Sequence, residues 1–377
     1  MRTMLILIPA FIFMGCSSSE EGLFDQTSQG GAGGEGASGG KGGSSRGGSS
    51  SAGTSSGGRP VIGFPTQLAP APASLAGITS DGWAVFRDAD ALRTVRIGAP
   101  AAASSASEEV TARPGTVLIR GNAVFNWADV DWTTNLGDLS VWTEEGGALD
   151  IGETLYVEGF VAVSESGSAL VYAANPSDET FDLMLLTTER GTSDVLIESV
   201  GRGTEETCAP SIGFVRERLF VGWCEVGSRA ARLERYDRVG DEWQPSLIAS
   251  DVLPEWSADA EGDHVFYQSS AYAAYCDMDG EAVYIDASVG RGLLAPDGSV
   301  AFYTVGDQLR RTVLPDVDPI PVVTRGYAQP IGFSPLFDLA LYSTIVTYEN
   351  GTQRDLFVVP TDEANAEPVE LAPEPTA

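Results

Sequence analysis

Gly292-Leu-Leu-Ala-Pro-Asp-Gly-Ser-Val-Ala-Phe-Tyr303 decides how this chain folds. A turn signal, Pro296-Asp-Gly298, separates one short apolar run from a second that ends in an aromatic ring, as two strands of an antiparallel hairpin would be written. The phrase recurs. Short β-rich runs stand at Ala169-Leu-Val-Tyr172, Leu219-Phe-Val-Gly-Trp223, His264-Val-Phe-Tyr267, Val300-Ala-Phe-Tyr303 and Leu339-Ala-Leu-Tyr342, and almost no stretch shows helical period. With two earlier runs like them, they align on turn residues at Gly82, Gly121, Gly167, Glu217, Gly262, Gly298 and Asp338, spaced by 36 to 50 residues. A unit of that length holds a few strands and cannot bury both faces of its sheet alone, so units must pack on one another. The expected class is all-β: a single β-propeller over residues 61–377, of seven blades, with six or eight as alternatives. The run before each anchor, such as Phe160-Val-Ala-Val163, lines the channel, and the run after it is a packed middle strand.

Three of these units carry a family resemblance. Pro254-Glu-Trp-Ser257 with Gly262-Asp-His-Val-Phe-Tyr267, Ala295-Pro-Asp-Gly298 with Val300-Ala-Phe-Tyr303, and Pro330-Ile-Gly-Phe-Ser-Pro335 with Leu339-Ala-Leu-Tyr342 resemble the repeats of TolB-like propellers. Four further units match loosely. The resemblance implies a propeller fold and an envelope setting. It does not choose a function, because propellers host many.

The first residues give an address. Arg2 precedes an apolar run of about 11 residues, too short for the roughly 20 that span a bilayer. Phe13-Met-Gly-Cys16 closes that run. This resembles a bacterial lipoprotein signal peptide, residues 1–15, which implies cleavage after Gly15 and lipid, palmitate included, on Cys16. Ser17, not being Asp, implies sorting to the outer membrane, facing the periplasm or the cell surface. Residues 16–60 are rich in Gly and Ser with no aromatic after Phe24, a composition that reads as a disordered tether. Such a chain spans on the order of 35 Å. Two motifs within it, Gly31-Ala-Gly-Gly-Glu-Gly36 and Gly43-Ser-Ser-Arg-Gly47, satisfy a dinucleotide fingerprint and a nucleophile elbow but follow no strand and open no helix.

Residues 61–377 hold 18 Arg, no Lys and 49 acidic residues, and the whole chain carries −31. A surface this acidic repels phosphate backbones and excludes nucleic acid as partner. Six arginines, Arg216, Arg218, Arg229, Arg232, Arg235 and Arg238, cluster in one unit among Glu217, Glu225, Glu234, Asp237 and Asp241, and read as paired charges rather than an anion site. With Cys16 lipidated, Cys208 and Cys224 are spaced for a disulfide across a turn, as an oxidising compartment permits. Cys276 is then a small buried residue. The single histidine, His264, sits in a strand pattern and reads as structural, so no catalytic constellation stands out.

Two short stretches are candidate sites. Trp127-Ala-Asp129-Val-Asp131-Trp132 places two indoles and two carboxylates at one blade edge, where rings could stack on a sugar; packing inside a blade interface is the alternative. Asp277, Asp279 and Glu281 space three oxygens around Gly280 as calcium loops do, with a plain hairpin turn as the alternative. The expected function is a monomeric, membrane-anchored, non-enzymatic binding module meeting an envelope protein or a glycan. A propeller enzyme acting on glycans and a structural envelope protein are the alternatives.

Overall fold

The computed structural model describes residues 74–88, 91–97, 108–156, 160–202, 209–278, 280–323, 327–334, 339–348, 351–361 and 369–373. The expected signal peptide and tether, with Cys16, and also Cys208, Asp279 and Asp338, lie outside the described residues. Those described belong to one compact unit. All their regular structure is β-strand, so among them no helix is long and apolar enough to cross a membrane.

Each sheet is a chain-order antiparallel meander or two joined. The first holds β1 (Ser74–Ile78), β2 (Trp83–Asp88), β3 (Ala91–Arg96) and β4 (Glu108–Thr111). An eight-stranded sheet follows, made of β5 (Thr116–Arg120), β6 (Ala123–Asp131), β7 (Leu136–Thr143), β8 (Gly147–Leu155), β9 (Ala162–Val163), β10 (Ala169–Ala174), β11 (Thr180–Thr187) and β12 (Thr192–Gly201). It joins a second meander, β5–β8, to a third, β9–β12, where Leu155 of β8 pairs Ala173 of β10. A seven-stranded sheet holds β13 (Ser211–Val215), β14 (Arg218–Trp223), β15 (Ala231–Val239), β16 (Glu242–Ala258), β17 (His264–Ser269), β18 (Ala274–Met278) and β19 (Glu281–Asp286). Here β16 serves twice: its first half closes the fourth meander against β15, and from Val252 onward it opens the fifth against β17. Two four-stranded meanders complete the order, β20 (Val289–Leu294), β21 (Val300–Val305), β22 (Gln308–Val313) and β23 (Ile320–Val323), then β24 (Tyr327–Phe333), β25 (Leu339–Tyr348), β26 (Gly351–Pro360) and β27 (Val369–Pro373).

The second strand of each meander reads as a mainly apolar run because both its faces are covered. In β6 the first six residues are all buried, and β10 and β21 each bury five of six. Consecutive meanders share separate apolar clusters. Val85 and Leu92 meet Val124 and Trp142 between the first and second, while Phe125 and Leu139 meet Leu170 and Tyr172 between the second and third. Phe181 and Leu183 meet Leu219 and Val221 next, then Phe220 and Leu233 meet Val265 and Tyr267. Phe266 and Cys276 meet Leu294 and Tyr303, and Phe302 and Leu309 meet Ala340 and Tyr342. Each large side chain so buried is worth roughly 1.5–3 kcal/mol, so the cores lie between meanders rather than within them.

The glycine anchors occupy the turn into that second strand, and the same bonds repeat there. Thr79 N–H donates to the Trp83 carbonyl at 2.9 Å, Ser164 to Ala169 at 3.0 Å, Asp259 to His264 at 3.1 Å and Ala295 to Val300 at 2.7 Å. Four of these turns also bond the next one. Ser80 N–H reaches the Gly121 carbonyl at 2.8 Å, Asn122 reaches Ser166 at 3.1 Å, Glu165 reaches Arg216 at 3.1 Å and Ala260 reaches Pro296 at 2.7 Å. Gly121 has φ +51°, and a Cβ there would fall on the Ser166 carbonyl, so both conformation and close approach demand glycine. In the fourth meander the left-handed residue is Arg216, φ 54°, one position before the anchor read from sequence. Glu217 instead reaches back to Ser166 N–H and Ser168 Oγ, both at 2.9 Å. Ion pairs Arg216–Glu261 and Arg218–Asp263 tie the fourth turn to the fifth. The turns thus share one end, and the loops between second and third strands emerge at the other.

Candidate functional site

At that other end a cleft of about 470 Å³ opens between the first and second meanders. Arg87 at the end of β2, Thr116 and Val117 of β5, and Trp127, Asp129 and Val130 of β6 line it, with Trp132 beside them. The residues leading into β5 are fixed by fully buried Asn126, whose Oδ1 accepts Gly115 N–H at 2.7 Å and whose Nδ2 donates to the Arg113 carbonyl at 3.1 Å. Arg87 donates to the Gly115 carbonyl from across the meander boundary.

The pairing of β6 with β7 breaks between Ala128 and Asp131, where Asp129 takes φ 50°. Aspartate tolerates this left-handed geometry better than most residues. The break ends strand alternation and turns the following loop outward. Asp131 Oδ1 accepts Thr133 N–H at 2.8 Å and its Oδ2 accepts the Thr134 hydroxyl at 3.1 Å; these bonds hold its carboxyl below the usual range. The carboxylate therefore caps its own loop and does not line the cleft. Asn135 N–H bonds the Asp131 carbonyl and its own carbonyl accepts Tyr156 N–H, both at 2.6 Å.

Three aromatic rings follow. Trp127 is 1% exposed and donates Nε1–H to Thr154 Oγ1 at 3.1 Å. Tyr156 packs on it at 5.3 Å, and Trp132 sets its ring edge-on to Tyr156 at 6.2 Å and 80° while remaining 70% exposed. The two tryptophans read together from sequence thus divide: one is the packed alternative, the other an indole held out in water by a braced loop. Arg113 Nη1 donates to Asp129 Oδ2 at 3.0 Å and to Asp138 Oδ2 at 2.7 Å, and Asp138 first, then Asp129, raises the guanidinium further above its usual value. The rim is therefore charged on both signs beside an exposed aromatic face. Arg87, Arg113 and Tyr156 escape a reading by sequence window, since they stand on other strands and connections.

The other candidates fall elsewhere. Asp277 Oδ1 accepts Gly280 N–H at 3.1 Å in the β18–β19 hairpin, Glu281 opens β19, and among the described residues no group of three metal-binding side chains forms. Cys224 is disulfide-bonded. Cys276 is a free, buried thiol, pushed up to about 12 by burial and by the Asp277 charge. His264 Nδ1 lies 2.7 Å from Oδ2 of buried Asp259, whose other oxygen accepts Asp263 N–H at 2.9 Å, a pair that packs under Gly298. The clustered arginines are paired: Arg232 with Glu234 at 3.1 Å, Arg235 with Asp237 at 2.8 Å, and Arg238 with Glu189 at 3.2 Å, while Arg229 is likewise engaged.

No family model and no curated protein matches the chain. Among solved structures it is similar to the β-propeller domain of the Trilobed protease from Pyrococcus furiosus, at TM-score 0.37 and 14% identity over 78% of this chain and 96% of that one. It is similar also to TolB from Acinetobacter baumannii, at TM-score 0.33 and 12% identity over 79% and 66% of the two chains. A prolyl endopeptidase matches at TM-score 0.44 and 14% identity over 79% of this chain, which spans 49% of that protein's length. The strand order itself, antiparallel meander packed on meander with a core at each junction, is that of a β-propeller.

Proposed function

We propose that this protein is a non-enzymatic binding module of the cell envelope, a seven-bladed propeller tethered to the outer membrane through lipid on Cys16, and that it takes a glycan in the cleft beside Trp132. The single observation that carries the binding role is the exposed indole, braced through Tyr156 on a buried Trp127. A ring fixed in advance loses little entropy when a sugar stacks on it. Asp129 and Arg113 at the rim would meet hydroxyls from the side. Asp131 serves the site indirectly, since its carboxylate accepts Thr133 N–H and the Thr134 hydroxyl and so braces the loop that carries Trp132.

Seven groups of four strands, with β16 counted in two of them, support the blade number. For the disulfide, Cys224 is bonded and Cys276 is free, so with Cys16 acylated the partner in this reading is Cys208.

Calorimetric titration of the whole protein with β-1,4-linked oligomers of glucose and of N-acetylglucosamine tests the cleft. Binding heat should appear and weaken at least about tenfold in Trp132→Ala, with the melting temperature unchanged. No heat across the panel, or equal affinity in the variant, removes the glycan reading.

A further inference from the structure

The outer strands of the meanders differ in how they protect their open edge. An unpaired edge invites another strand, and proteins blunt it with charge, proline or irregular pairing. β4 begins with exposed Glu108 and Glu109. β12 pairs irregularly and carries Ser199 at φ 55°. The outer half of β16 contains Pro245 and breaks register with β15, β23 contains Pro321, and β27 ends in Pro373. β8 breaks register at Gly152 and pairs β10 at its end.

Along Glu281–Tyr284, β19 carries a single charge, at Glu281 where the strand begins, with no proline and no register break, the one break falling between Tyr284 and Asp286. Those four residues pair Met278, Asp277, Cys276 and Tyr275 of β18 without a break, and among the described strands β19 pairs β18 alone. Glu281, Ala282 and Tyr284 are exposed. The residues opposite one another form an aromatic row: Tyr267 stacks on Tyr275 at 5.8 Å, and Tyr284 stands edge-on to Tyr275 at 5.7 Å while 51% exposed. Alternation puts Asp277 on the face of Tyr275 and Ala282 on that of Tyr284. Asp277, whose Oδ1 accepts Gly280 N–H, thus stands one strand in from the open edge, opposite the small side chain of Ala282.

We propose that the β19 edge is a docking site for an extended segment of a partner protein, which adds as a strand and places an apolar or aromatic side chain against Tyr284 and a lysine or arginine two positions away, over Ala282 toward Asp277. Backbone hydrogen bonds would give the affinity and the two alternate side chains the choice of partner. Charge complementarity favours a basic segment, since the chain carries −31 and Glu281 stands at the start of the same edge. The site is separate from the cleft at Trp132 and does not rest on it.

The test uses the full chain and two labelled peptides, Thr-Lys-Val-Tyr-Val-Lys-Thr and its counterpart with glutamate for both lysines, in fluorescence anisotropy. The lysine peptide should bind and the glutamate peptide should not. Tyr284→Lys, a change at an exposed position that leaves the fold intact, should weaken binding at least about tenfold, and Asp277→Asn should narrow the gap between the two peptides. Hydrogen exchange should show the β19 amides protected on binding. No binding by the unaltered protein, equal binding of both peptides, or full binding by Tyr284→Lys would each overturn the proposal.

Discussion

Trp127 and Trp132 show how little sequence distance separates a core residue from a surface one. Both were visible as indoles near carboxylates; which one packs was not, because the switch is the left-handed Asp129 and the brace is Tyr156, 24 residues beyond Trp132. The glycine anchors were legible for the opposite reason, since a turn residue followed by an apolar run is a local signal. Their need for glycine has two causes, and these can be separated. Gly121→Ala meets both a left-handed φ and the Ser166 carbonyl, whereas Gly240→Ala meets only φ +64° with open space around it. The first should cost at least about 1 kcal/mol more than the second in urea melts, because overpacking adds to backbone strain. Equal losses would mean that the approach to Ser166 yields without resistance.

Elements were legible where punctuated by turn residues and obscure where they were not. The fourth anchor slipped because an arginine, not a glycine, takes the left-handed position, so the residue type gave no sign. β16 was unreadable as one strand, since a sequence of this length invites a search for a loop that it does not contain. Between the fourth and fifth meanders the Arg218–Asp263 pair bears on stability in acid. Arg218 holds the Asp263 carboxyl below its usual value near 3.8, mainly by its hydrogen bond. A carboxyl with a lowered folded pKa gives stability that is complete above the unfolded pKa and is lost as pH falls through the folded one. Melting temperatures taken between about pH 5 and pH 3 should therefore fall less steeply in Arg218→Ala than in the parent, Asp131 supplying part of the remaining slope. Parallel curves would show that this exposed pair is too well screened to matter.

For the whole molecule, the class of fold came from spacing, and the cores between meanders explain why: a sheet buried on both faces writes its middle strand as an apolar run at every repeat. The cleft could not be read the same way, since it is assembled from connections of two different meanders. The proposed envelope setting carries its own prediction. Intact protein extracted from membranes and measured unreduced by mass spectrometry should begin at an acylated Cys16 and carry a Cys208–Cys224 link, and Cys16→Ser should leave the membrane fraction. An unacylated N-terminus or free thiols at both positions would contradict the corresponding half. The double duty of β16 also governs how this architecture can change over generations. Extra residues at most junctions enter a connection and are absorbed there. One residue inserted into Glu242–Ala258 has no loop to enter, and must either join the register shifts that the strand already carries against β15 and β17 or swing later side chains to the wrong face. At that junction a change of length is confined to the bulges of one continuous strand, whereas elsewhere a connection can take it up.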